Sequence, residues 1–156
     1  MKIEIVDYRP EHKKRFVEIN EAWITKSFFL EDIDREELHN LENSILKTGG
    51  AILIALVKGE VVGTCALMKV PAENGNIFEL IKMAVDEKAR GHKIGKLLGI
   101  KILEKAKNLG AKKVFLHSNT KGSATAVKLY YELGFKEITL GKSEFQRADI
   151  KMEIEL

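Results

Sequence analysis

Apolar positions change their period several times along the chain, and each change marks an element. Ile3 to Val6 reads as a first strand. Pro10 follows at a place where a first helical turn tolerates proline, and Phe16, Val17, Ile19, Ala22 and Trp23 recur at helical spacing. This predicts a helix over 10–26. A second helix is expected over 34–47, with Asp32 or Asp34 as its cap and Gly49-Gly50 as its stop. The apolar run 51–57, the turn Lys58-Gly59-Glu60 and the segment 61–70 have the form of an antiparallel hairpin. Turn formers fill 71–76, and 77–85 is the next strand. Strict alternation there would put Ile77, Glu79, Ile81, Met83 and Val85 on one face.

Beyond that strand the period returns to helical. Ile94, Leu97, Leu98, Ile102, Leu103 and Ala106 mark a helix over 94–108, closed by Leu109-Gly110. A short strand is expected at 114–117 and a helix over 123–133 ending at Gly134. Late strands fall at 135–139 and 150–154. The order β-α-α-β-β-β-α-β-α-β-β calls for a central sheet with helices on its faces. No repeat, low-complexity tract or dividing linker interrupts it.

Composition narrows the class. A chain of 156 residues with 45% hydrophobic and 31% charged residues has enough apolar surface for one sizeable core. The net charge of +3 is spread along the chain, which argues against a nucleic-acid protein with a concentrated basic face. Cys65 is the single cysteine, so no intrachain disulfide can form. No apolar run approaches the ~18 residues of a membrane span, and Met1-Lys2-Ile3-Glu4 lacks the apolar core of a signal peptide. A soluble cytoplasmic protein is expected. His12, His39, His92 and His117 show no metal-ligand spacing, so no metal is expected.

The most specific chemistry lies in Arg90-Gly91-His92-Lys93-Ile94-Gly95-Lys96, between a strand and a helix. Glycines let the backbone approach a ligand, the unpaired N–H groups and dipole of a helix start favour an anion, and the cations add positive field. The spacing is not that of a P-loop, since three residues separate Gly91 from Gly95-Lys96 and Leu97 replaces Ser/Thr. It is not a dinucleotide fingerprint either, because no Gly-x-Gly-x-x-Gly occurs.

This loop, its flanking elements and the segment Ala126-Val-Lys-Leu-Tyr-Tyr-Glu-Leu-Gly-Phe135 resemble the GCN5-related N-acetyltransferase (GNAT) superfamily. That family's signature Gln/Arg-x-x-Gly-x-Gly/Ala reads Arg90-Gly91-His92-Lys93-Ile94-Gly95 here, with Lys93 in place of the middle glycine. Its second signature matches at Leu129, Tyr130, Gly134 and Phe135. The resemblance implies an α/β (α+β) fold in one domain over 1–156. The sheet would be mixed, mostly antiparallel, of about six or seven strands, with about four helices. It also implies acetyl-CoA as the acyl donor. Backbone N–H groups of His92, Lys93, Ile94, Gly95 and Lys96 would hold the pyrophosphate, and Met83, Ala84 and Val85 would pair with the pantetheine amides. Asn119 and Ser123 would touch the cofactor, although Ser123 also suits the N-cap of the helix it precedes.

Two residues are candidates for catalysis. Tyr130 is placed to protonate the departing thiolate, against the plainer reading of a core tyrosine, while Tyr131 points ~100° away around the helix. Glu79 is a candidate base, because an ionisable group on an apolar strand is costly unless paired or used. A surface or strand-edge glutamate is the alternative. His117 is a second candidate base, and Cys65 reads as an inert buried thiol.

The expected reaction is acetyl transfer to a primary amine by direct attack in a ternary complex. The acceptor is a small molecule or peptide, in a pocket between the first two helices and the 71–76 loop. Trp23, Phe28 and Phe29 are candidates for its walls or for packing. The rivals are a non-catalytic acyl-CoA sensor and an interaction module. No nucleic-acid or membrane partner is expected, and the apolar C-terminal strand offers a surface for a homodimer.

Overall fold

A computed structural model describes residues 2–71, 76–141 and 146–156. Its elements are β1 (Ile3–Asp7), α1 (Lys13–Ser27), α2 (Asp32–His39), β2 (Ala51–Val57), β3 (Glu60–Lys69), β4 (Ile77–Val85), α3 (Ile94–Asn108), β5 (Lys113–Ser118), α4 (Ala124–Leu133), β6 (Lys136–Ile138) and β7 (Ile150–Glu155). The element order and the GNAT-type mixed sheet are as expected. The strands form a seven-stranded sheet in the order β1-β2-β3-β4-β5-β7-β6, and β4–β5 is its parallel pair among the described residues.

The sheet has a core on each face. On one side Phe16 and Ile19 of α1 and Leu38 of α2 pack on Ile52, Ile54, Ala66 and Ile81. On the other, Ile94, Leu98 and Ile102 of α3 and Val127 and Tyr130 of α4 pack on Leu53, Cys65, Leu67, Phe78 and Leu80. Strand β2 shows why: its apolar residues alternate between the two cores, as a strand buried on both faces must.

Three local expectations change. The first helix begins as a 3-10 turn at Pro10–His12 before α1. The second is not continuous: α2 ends at His39 and a π-helical turn occupies Glu42–Leu46. Its N-cap position is Glu31, whose N–H donates to Asp34 Oδ2 at 2.9 Å, while Asp32 is an exposed first-turn residue paired with Arg35.

The third change decides the site. Alternation along β4 breaks at Lys82, which takes φ +58, and the β3 register jumps from Thr64↔Ala84 to Ala66↔Ile81. The extra residue is a β-bulge, which re-aims every side chain after it. Ile81 faces the α1/α2 core, and Lys82 points the same way, into α2. Met83 and Val85 are turned onto the α3/α4 side. The odd positions therefore do not share a face: Ile81 and Met83 lie on opposite sides.

Strands β4 and β5 pair at Ile77↔Lys113, Phe78↔Val114 and Glu79↔Phe115, and their ladder stops there. Strand β5 continues to Ser118 and β4 to Val85. A cleft opens between them, and the β5-facing edge of β4 carries backbone groups that no strand covers.

Candidate active site

The cleft opens into two joined cavities. The larger is a groove of roughly 840 Å3 lined by Met83, Ala84 and Val85, by the loop into α3 and by the start of α4. Arg90, Lys93, Lys96, Lys121 and Lys128 lie along it, against Glu132 as its lining carboxylate. The smaller is a pocket of about 80 Å3 with Glu79, Lys82, His117, Tyr130 and Arg147 in its walls. Trp23, Met83 and Ser123 line both.

The loop before α3 is shaped by two left-handed residues. Gly91 has φ +84 with open space around its missing Cβ, and Lys93 has φ +59 and ψ +26 at the N-cap. The first intrahelical bond runs from Leu97 N to Lys93 O at 3.1 Å. The N–H groups of Ile94, Gly95 and Lys96 therefore have no partner within the helix and project from its end. The left-handed conformation that the middle position needs is thus taken by Lys93, at a cost of about 1–2 kcal/mol for a residue with a Cβ. This row of donors, five lining cations and the uncovered β4 edge fit a long polyanionic ligand with amide groups. His92 is exposed and its side chain is not on the groove wall.

Tyr130 is buried on the pocket side of α4, edge-on to Phe135. Burial, with Cys65 as a lesser neighbour, pushes its phenol above the usual range, so it stays protonated. Tyr131 on the next position is half exposed. Cys65 is fully buried, and burial raises its thiol, so it is not a nucleophile.

Glu79 sits on the last paired rung of β4 and β5, opposite Phe115, and its side chain reaches His117 two residues farther along β5. His117 Nδ1 lies 3.3 Å from Glu79 Oε2, with both side chains about nine-tenths buried. A carboxylate cannot face a bare ring nitrogen, so the proton belongs on Nδ1. In the neutral ring that tautomer leaves Nε2 as a lone-pair acceptor, with no hydrogen-bond partner among the described residues. The two candidate bases of the sequence reading are one unit.

The side chain of Asn119 is committed locally. It donates to Arg147 O at 2.6 Å and accepts from the N–H groups of Lys121 and Gly122 at 2.9 and 2.8 Å. It lines the smaller pocket and not the groove. Ser123 stands at the N-cap position of α4, but its hydroxyl makes no capping bond. Of the three aromatic candidates, Trp23 and Phe28 line the pocket, and Phe29 is 91% exposed and does not. Within 71–76, residues 72–75 lie outside the described residues.

Several site residues were missed in the sequence. Lys82 donates to Glu37 at 2.6 Å and lies 3.7 Å from Asp34. Arg147 grips both oxygens of Asp34 at 2.7 and 2.8 Å and Glu31 at 2.9 Å. Asn20 donates to Phe16 O and to Thr64 Oγ1, and Thr64 donates to Lys82 O at the bulge. The argument that singled out Glu79, a charge inside an apolar strand, applies equally to Lys82 between Ile81 and Met83. Nothing local marks Arg147, whose carboxylate partners Glu31 and Asp34 lie more than a hundred residues away.

Comparison with known proteins agrees with this architecture. The model of the acetyltransferase (GNAT) family matches residues 16–135. N-acetylaspartate synthetase of Xenopus tropicalis is 36% identical over 105 residues, covering 67% of this chain and 38% of the relative. The chain thus spans little more than a third of such curated relatives. The uncharacterized N-acetyltransferase YjgM of Escherichia coli is 29% identical over 133 residues, 84% of this chain and 77% of that one. An acetyltransferase of the GNAT family from Staphylococcus aureus Mu50 superposes with a TM-score of 0.86 at 25% identity over 99% of both chains. PaiA N-acetyltransferase from Thermoplasma acidophilum, solved with coenzyme A, shares the fold at a TM-score of 0.78 and 20% identity over the full length of both chains. The chain belongs to the GNAT acetyltransferase family. Among the described residues, no helix is long and apolar enough to cross a membrane.

Proposed function

We propose that this chain, acting as one catalytic domain, transfers an acetyl group from acetyl-CoA to the primary amine of a small acceptor by direct attack while both are bound. The observation that carries this reading is the divergence of β4 and β5 beyond Glu79, which joins a cationic groove to a compact pocket at the place where Tyr130 and the Glu79–His117 pair converge. The solved relatives with coenzyme A or acetyl-CoA bound support the choice of donor.

Each residue's part follows from its surroundings. Acetyl-CoA supplies an acetyl group activated as a thioester. The N–H groups of Ile94, Gly95 and Lys96 and the lining cations hold its phosphates, and the uncovered edge of β4 at 83–85 aligns its amide arm. The Glu79–His117 pair takes the proton that the acceptor's ammonium must lose, with Glu79 stabilising the imidazolium if the proton settles on Nε2. The freed amine nitrogen bonds to the acetyl carbon, the carbon–sulfur bond breaks, Tyr130 gives its proton to the sulfur, and the second proton that the nitrogen must lose replaces the one Tyr130 gave up. A phenol kept protonated by burial suits that role.

Release of free thiol, followed with acetyl-CoA and a panel of amines, tests this. Glu79→Gln should lower kcat by about 10²–10⁴ and leave acetyl-CoA affinity unchanged. Unchanged turnover in that variant would remove the pair from the chemistry.

A further inference from the structure

We infer that the acceptor is a compact aliphatic amine that carries no carboxylate. This deepens the acetyl-transfer reading above and rests on it.

Hydrogen-bond acceptors dominate the uncommitted polar atoms of the smaller pocket. Asn20, on the pocket wall, spends both amide hydrogens on Phe16 O at 2.9 Å and Thr64 Oγ1 at 3.0 Å. The Phe16 carbonyl only accepts, so this orientation of the amide is fixed, and the atom left over is Oδ1, an acceptor. His117 Nε2 is a second acceptor, buried and unpartnered. The Glu79 carboxylate is a third. The hydroxyls of Ser118 and Ser123 serve either way and decide nothing.

The cations in the wall do not reverse this. Lys82 is held by Glu37 and Arg147 by Asp34 and Glu31, at 2.6 to 2.9 Å. Counting the groups behind the wall, the carboxylates Glu31, Asp34, Glu37 and Glu79 stand against Lys82 and Arg147 among the described residues. Burial, together with Glu79 and Asp34 and against the pull of Lys82, pushes the Glu37 carboxyl up, as expected where negative charge is crowded. Such a site focuses a field that draws an ammonium and repels an anion. Among the described residues, a carboxylate on the acceptor would meet no uncommitted cation, and it would lose its own hydration.

Size points the same way. At roughly 10–15 Å3 per water-sized occupant, the pocket of about 80 Å3 admits only a handful of non-hydrogen atoms. Phe28 closes one side: its ring lies where a Cβ on Gly122 would come within 2.3 Å of Cζ. The curated relatives named N-acetylaspartate synthetase would suggest a dicarboxylic amino acid as acceptor. The acceptor-rich pocket of this chain, whose two wall cations are held from behind by Glu31, Asp34 and Glu37, is complementary to the opposite charge.

A matched panel at saturating acetyl-CoA tests the inference, with kcat/KM from thiol release and products verified by mass spectrometry. 4-Aminobutanamide and 4-aminobutanoate place the change of charge far from the reacting nitrogen, so its basicity hardly differs. 1,4-Diaminobutane and aspartate complete the panel. The amide and the diamine should exceed the two carboxylates by about tenfold or more, a difference of about 1.4 kcal/mol. Aspartate or 4-aminobutanoate equalling them would overturn the inference while leaving acetyl transfer intact. Calorimetric binding of acetyl-CoA with no amine turned over would instead bring down the transfer reading, and this inference with it.

Discussion

Replacing Asp34 with asparagine tests the charge network that joins α2 to the segment before β7. Asp34 is fully buried and accepts from Arg147 Nη1 at 2.7 Å, from Arg147 Nη2 at 2.8 Å and from Glu31 N–H at 2.9 Å. Asparagine keeps the volume and one acceptor oxygen, but it loses the charge and turns an NH₂ toward a guanidinium that can only donate. Breaking a buried pair from one side costs about 3–5 kcal/mol. Arg147 retains Glu31 at 2.9 Å, so the lower end applies, about 3 kcal/mol. For a chain of this length that lowers Tm by about 6–12 °C. Asp32→Asn is the control. Its carboxylate is 95% exposed in a pair with Arg35, and its loss should cost under about 0.5 kcal/mol.

The pH dependence of the same variant supplies the sign. Burial works against ionised Asp34, but Arg147, the Glu31 N–H and Lys82 outweigh it and hold the carboxyl below its ordinary range. A carboxyl lowered on folding contributes stability above its unfolded pKa of about 3.9 and loses it as the pH falls through the folded value. The gap between wild type and Asp34→Asn, measured by denaturant melts, should therefore be full at pH 7 and shrink below about pH 4. A gap that is the same at neutral and strongly acid pH, or under about 0.5 kcal/mol throughout, would refute the reasoning.

Other outcomes follow from single contacts. Tyr130→Phe keeps the edge-on packing with Phe135 but removes the proton donor, so kcat should fall by about 10²–10⁴ in steady-state assays while Tm changes little. Gly91→Ala meets no neighbouring atom, so its cost is the positive φ alone, about 1–2 kcal/mol; calorimetry should show acetyl-CoA binding weakened as the loop relaxes. Gly99→Ala would set a Cβ 2.4 Å from Leu133 Cδ1, where α3 crosses α4, and should cost about 1–3 kcal/mol by overpacking in a denaturant melt, without altering acceptor preference.

The sequence was most readable where one period ran unbroken. The bounds 94–108 of α3 follow from its apolar face and its glycine stop, and the order of all the strands follows from runs bounded by turn formers. The loop at 90–96 could be read because its chemistry is local: glycines, cations and a helix start lie within a few residues. The fit of Lys93 could not, since a left-handed residue with a Cβ leaves no periodic trace. The Glu79–His117 pair was visible as two separate candidates, because the sequence does not show that β5 lies beside β4 in the register that brings His117 within reach of Glu79. The network of Glu31, Asp34, Glu37, Lys82 and Arg147 stayed hidden for a similar reason. Its members join α2, β4 and the approach to β7, and only the packed sheet brings them together.

Under the proposed acetyl transfer, the bulge at Lys82 lets one strand serve both substrates. With unbroken alternation, Glu79 and Met83 would share a face and Lys82 would point at α3. One inserted residue turns Met83 and Val85 onto the side of the phosphate loop and leaves Glu79, Ile81 and Lys82 facing the helices that wall the acceptor pocket. Lys82 holds φ +58, a conformation costing about 1–2 kcal/mol for a residue with a Cβ. Two contacts offset that cost: Thr64 Oγ1 donates to its carbonyl at 2.7 Å, and its ammonium reaches Glu37. The proposed donor edge and acceptor wall are thus consecutive stretches of one chain, separated by a residue whose backbone and side chain are both pinned. Such an arrangement fixes the distance between the two reacting partners through covalent geometry rather than through the packing of separate elements, which is what a reaction limited by positioning requires.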